Sequence, residues 1–188
     1  MNVVRARAMR LDRPVVIVWP ALLIAGLVIL AALSACRGGD ESKQSAGLSG
    51  WERGGEYDRR YDPQELDRVK GSFQEIVELT PMSGMAPGVG VMIRDRADDE
   101  LVTVHLGPKD FVGKDLAEFG LTPGQKVKVT GVWAEFDGKD VFMASKIKKG
   151  EYQQIKVRRT SDGTPYWSMS PEQLAAERAN EFEDDGES

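Results

Sequence analysis

The sequence predicts an all-β domain with a short helix, a five- to six-stranded barrel, preceded by a signal segment and tether and followed by a short C-terminal helix. Three observations predict it: β-rich runs separated by turn chemistry, one helical pattern after the third run, and a strong Asp-Gly hairpin signal between the last two long runs.

The elements follow in order. "VKGSFQEIVEL", residues 69–79, sets Val69, Phe73, Val77 and Leu79 on one parity, with Gly71 suited to a bulge. "VGVMIR" (89–94) and "LVTVHL" (101–106) are apolar runs rich in β-branched residues, and the polar "DRADDE" between them is a hairpin connection. In "GPKDFVGKDLAEFGLTPG" the residues Phe111, Val112, Leu116 and Phe119 share one helical face, and Gly120 followed by Pro123 is a stop signal. "QKVKVTGVWAEF" alternates Val127 and Val129 with lysines until Gly131 shifts the alternation, as a bulge does. Asp137-Gly138 then supplies both positive-φ residues of a tight hairpin into "VFMASKIKK", and "YQQIKVRRT" is a candidate sixth strand. Strand, strand, strand, helix, strand, strand is the order of the OB-fold, a small Greek-key barrel. "SPEQLAAERANEF" closes the chain with a Ser170/Gln173 capping box and Pro171 at the first helical position.

Ahead of the barrel lies an export pattern. Arg5, Arg7, Arg10 and Arg13 precede a nearly uncharged run from Val15 to Leu33. Its 19 residues would reach roughly 28 Å as a helix, long for a cleaved signal core and close to a bilayer's thickness of about 30 Å. The run ends in Leu33-Ser34-Ala35-Cys36, which resembles the lipobox of bacterial lipoproteins. That resemblance implies a lipid on the sulfur of Cys36, the one cysteine, and removal of residues 1–35. An uncleaved anchor is the alternative; both put the rest of the chain beyond the inner membrane, because the arginines stay cytoplasmic. The expected location is therefore the cell membrane or outer membrane, with the domain facing the periplasm or outside. Arg37, where inner-membrane lipoproteins commonly carry Asp, favours the outer membrane by the same resemblance.

These readings divide the chain into a signal peptide (1–35), a lipidated and mostly flexible tether (36–68), the barrel (69–167) and a helix with an acidic tail (168–188). Trp51, Tyr57 and Tyr61 interrupt the tether, as stray aromatics of a mobile linker or as residues that pack on the barrel. Loss of residues 1–35 leaves 21 basic against 29 acidic residues, a net charge of −8, which argues against a general nucleic-acid partner. Seven acids lie beyond Ser170 against Arg178 alone, so the body is nearly neutral.

The stretches "VTVHLGPKDF", "LTPGQKVKVTGVWAEFDGKDVFMASKIKKG" and "IKVRRTSDGTPYW" share a His-Leu-Gly-Pro, a Gly-x-Lys-Val-x-Val-x-Gly strand, an Asp-Gly hairpin and a closing Arg-x-x-x-Gly-x-Pro-x-Trp. In these residues the segment 69–167 resembles the MamS/MamX type of magnetosome-associated domain. The resemblance implies a barrel, and its motifs are mostly structural. Some relatives attach haem covalently; this chain has no Cys-x-x-Cys-His and cannot attach haem that way.

Candidate chemistry is sparse. Met82, Met85 and Gly88 lie in the loop after the first strand, a candidate binding loop. Met82 and Met85 with His105, the only histidine, could offer a thioether and imidazole set to copper; packing is the plainer use of each. The parity of His105 sets it beside Thr103 on the outward side of its strand. Lys146, Lys148, Lys149, Lys156, Arg158 and Arg159 make a basic patch, either a solvated face or a contact for anionic lipid headgroups. No nucleophile–base pair or metal cluster has a usable spacing, so no catalytic residue and no cofactor beyond the covalent lipid is expected. The expected function is a non-enzymatic, lipid-anchored binding or assembly module whose partner is an envelope protein. A copper-handling or redox accessory protein is the alternative.

Overall fold

The computed structural model describes residues 47–179. Leu33 to Cys36, the preceding apolar run and the acidic end of the chain lie outside the described residues. Among the described residues no helix is long and apolar enough to cross a membrane.

The strands are β1 (Asp67–Leu79), β2 (Gly88–Asp95), β3 (Leu101–Pro108), β4 (Lys126–Phe136), β5 (Lys139–Lys149) and β6 (Gln153–Lys156). Helix α1 (Lys109–Phe119) lies between β3 and β4, and α2 (Pro171–Ala179) follows the barrel. The sheet runs β3-β2-β1-β4-β5-β6, and β3 also pairs with β5 in parallel through Val104 with Phe142 and His105 with Met143. That parallel contact closes five strands into a ring with a helix between the third and fourth, which is an OB-fold-like barrel. β6 extends β5 beyond the ring.

Alternation fills the barrel. Val69, Phe73, Val91, Ile93, Val102, Val104, Val127, Val129 and Ile147 are buried, with lysine, serine and threonine on the opposite parity. Helix α1 buries Val112 and Leu116 and stops at Gly120, whose φ of 60° places it in the left-handed region and whose N–H donates to the Ala117 carbonyl. Asp137 and Gly138 both have positive φ, 51° and 71°, as their hairpin turn requires. The Ser170/Gln173 capping box forms in both directions at the start of α2.

Two expectations about bulges change. The slip at Gly131 exists, but the extra residue sits on the partner strand: Thr130 faces Lys146 and Gly131 faces Ala144, leaving Ser145 over. A Cβ on Gly131 would lie 2.1 Å from the Met143 carbonyl oxygen, so the glycine is there to admit that backbone. On β1 the bulge falls at Gln74, not at Gly71. Gly71 pairs with both Asp95 and Val127, and β2 crosses so closely that a Cβ would lie 2.1 Å from the Arg94 carbonyl oxygen.

The largest difference concerns the tether. From residue 47 the chain is folded onto the barrel, so the domain begins about twenty residues before the expected boundary at 69. Trp51, Tyr57 and Tyr61 are all buried. Short 3-10 turns at Asp58–Arg60 and Pro63–Glu65 then lead this strap into β1.

Candidate functional site

The strap covers the region that the sequence suggested for binding. The Ala86 N–H donates to the Ser49 carbonyl, and the Trp51 Nε1–H donates to the Ala86 carbonyl at 2.9 Å. The Trp51 indole lies directly over Gly88, where a Cβ would come within 2.3 Å of it, so only glycine seats the ring. On its other side Trp51 meets Trp167 edge-on at 6.0 Å, and the Trp167 Nε1–H donates to the Trp51 carbonyl. Met82 and Met85 are joined by a backbone hydrogen bond in the loop between β1 and β2; Met85 is buried against Gly50, and Met82 packs half-buried on the core. Met82, Met85 and Gly88 thus lie in one loop region, where Met85 and Gly88 meet the strap.

His105 is on the outward parity of β3, as expected, yet it is only 5% exposed because the strap lies over it. Its ring packs against both Tyr57, at 6.1 Å, and Phe136, at 5.8 Å, which also stack on each other at 5.2 Å, and its Nδ1 is 3.4 Å from the Tyr57 hydroxyl. Burial lowers the imidazole pKa from 6.5 to about 4, and burial likewise pushes the Tyr57 phenol well above its ordinary value. Both groups are held neutral by burial. The contacts of His105 are thus aromatic, while those of Met85 are with the start of the strap. Among the described residues no group of three His, Cys, Asp or Glu side chains is placed to hold a metal.

The expected basic patch disperses. Arg158 is 2% exposed, bonded to Asp58 at 2.5 Å and to the Gly163 carbonyl, and stacked on Tyr61 and Trp167. Arg159 pairs with Glu177 and Asp162, and Lys149 reaches the Phe119 carbonyl at the end of α1. Lys146, Lys148 and Lys156 remain on the outward face of the sheet, and other strands add to them.

Strand register places those additions. Lys70, Lys128 and Lys148 stand directly opposite one another across β1, β4 and β5. In the next row Arg68, Thr130, Lys146 and Lys156 run from β1 to β6, and on the other side Arg94, Ser72 and Lys126 run from β2 through β1 to β4. A groove of about 690 Å³ follows the first and last of these rows, lined by Lys70, Arg94, Arg96, Lys126, Lys128 and Lys148. Its two carboxylates are Asp95, which accepts the Ala97 N–H, and Asp99, whose carbonyl and carboxylate hold Arg94. The alternation of Lys126 and Lys128 with valines was legible in the sequence; which strands flank them was not, because register depends on the fold.

The family match to known proteins falls on the barrel. The model of the MamS/MamX magnetosome protein family matches residues 65–153, just under half of the chain. The match takes in the barrel and the groove, whereas the strap, Trp167 and the closing Arg-x-x-x-Gly-x-Pro-x-Trp motif fall outside it. No curated protein matches the chain. Among solved structures, the crystal structure of the S. pombe Stn1–Ten1 complex is similar at 14% identity and a TM-score of 0.36, over 45% of this chain and 57% of that one. The chain thus spans less than two thirds of that neighbour. The strand order, the closing parallel pair and the family match together make residues 65–153 a MamS/MamX-like domain with an OB-fold-like barrel.

Proposed function

We propose that the protein is a non-enzymatic, lipid-anchored binding or assembly module of the cell envelope, held to a membrane through Cys36. The observation that carries the binding half is the open cationic groove across β1, β2, β4 and β5; the strap covers Gly88 and His105. OB barrels usually bind on the β2–β3 face and its flanking loops. Here Trp51 and Tyr57 occupy that region, which shifts binding to the groove. His105, buried under the strap against Tyr57 and Phe136, is out of reach of a substrate, which supports a role in binding and not in acid–base chemistry. The anchoring half rests on the arginine-led apolar run closed by Leu33-Ser34-Ala35-Cys36. Through the family name, a magnetosome membrane is a candidate location.

Native mass spectrometry of the full chain, taken from its own membranes in mild detergent, tests this reading. The expected mass begins at Cys36, carries acyl chains and comes with a bound envelope component. An unacylated chain that retains residues 1–35 would overturn lipid anchoring. A metal-sized increment that disappears in a Met82→Leu/Met85→Leu variant would favour copper handling instead.

A further inference from the structure

We propose that the outward face of β1, β4 and β5 is a docking surface for an anionic, phosphate-bearing lipid leaflet. Lys70, Lys128 and Lys148 are mutual register partners, and like charges set directly opposite across strands oppose sheet formation. Neighbouring strands are about 4.8 Å apart and alternate residues about 6.8 Å apart, so the cations form a two-dimensional grid. Such a grid meets several anionic groups at once, as on an extended surface, where a pocket for one small anion would converge on a point.

The rim separates a leaflet from other polyanions. Tyr152 is 82% exposed in the turn between β5 and β6, two residues past Gly150 of the groove, and Leu101 is 52% exposed directly opposite Arg94. A tyrosine and a leucine beside cations suit an interface whose charge lies over an apolar layer. The rows themselves carry Lys, Arg, Ser and Thr and no aromatic platform of the kind that stacks bases of single-stranded nucleic acid. The inference rests on the anchoring reading for keeping the face near a bilayer: residues 37–46 span at most about 35 Å when extended, which limits how far a lipid on Cys36 would let the domain stray.

Lysine-reactive footprinting of the full chain in nanodiscs tests the face. Labelling at Lys70, Lys126 and Lys148 is expected to fall in discs of phosphatidylcholine mixed with phosphatidylglycerol but not in discs of phosphatidylcholine alone. It should return at high salt, with the exposed Lys114 of α1 unchanged throughout. In a Lys70→Glu/Lys126→Glu variant the protection of Lys148 should be lost. A Lys70→Gln/Lys126→Gln variant should show partial loss, and near-ultraviolet circular dichroism establishes that both are folded. Equal labelling in the two discs overturns the proposal. So does protection by inorganic phosphate or polyglutamate without protection by phosphatidylglycerol, which would assign the face to a soluble anion or an acidic peptide. A chain that stays with neither disc defeats the anchoring reading, and the same footprint with added phosphatidylglycerol vesicles then decides the face separately.

Discussion

His105 shows how a single side chain acquires its chemistry from its cover. An imidazole exposed on the outward side of a strand would titrate near 6.5; under Tyr57 and against Phe136 it is driven down to about 4. The folded state thus prefers the neutral ring, and its stabilising effect is complete above pH 6.5 and is lost as pH falls toward 4, where the folded form also takes the proton. Denaturant titrations between pH 7 and pH 4 should show this loss, at most about 3 kcal/mol, and His105→Gln should flatten that part of the curve. Arg158 poses the opposite problem, a charge that cannot be shed. Its guanidinium is buried with Asp58 as its ionic partner and two aromatic rings against it. Asp58→Ala should cost about 3–5 kcal/mol by leaving that charge uncompensated, and the double variant with Arg158→Met should recover much of the loss.

At the scale of elements, the strap and the bulges do the positioning. Trp51 seals the start of β2, donates to the Ala86 carbonyl and gives Trp167 its carbonyl partner, so three separate segments converge on one indole. Trp51→Ala should destabilise the domain by about 3–5 kcal/mol and expose the strap to protease. Gly88→Ala puts a methyl where the indole lies, and about 1–3 kcal/mol of overpacking is expected, read as a lower denaturant midpoint. The hairpin at Asp137-Gly138, the stop at Gly120 and the capping box at Ser170 were legible because each depends on a few adjacent residues. The bulge at Gln74 and the extra Ser145 were not, since a bulge is defined by the strand opposite.

Across the whole molecule, register turns scattered lysines into one face and a nominal linker into part of the core. Six cations from three long strands and the end of a fourth line the groove, although the chain as a whole is acidic. If that face meets an anionic surface, its association should weaken steeply with ionic strength, which sedimentation with phosphatidylglycerol vesicles across a salt series would measure. By itself the sequence determined the order of elements, the turn chemistry, the capping of α2 and the resemblance to the MamS/MamX domain, because periodicity and special backbone angles are local properties. Only the tertiary structure decided that Trp51, Tyr57 and Tyr61 are core residues, that Arg158 leaves the basic patch, and that Lys70 belongs with Lys128 and Lys148. The physical reason is that burial and charge clustering are set by partners far away in the chain, and nothing local in "GGEYDRRYD" marks which side of it will meet a barrel.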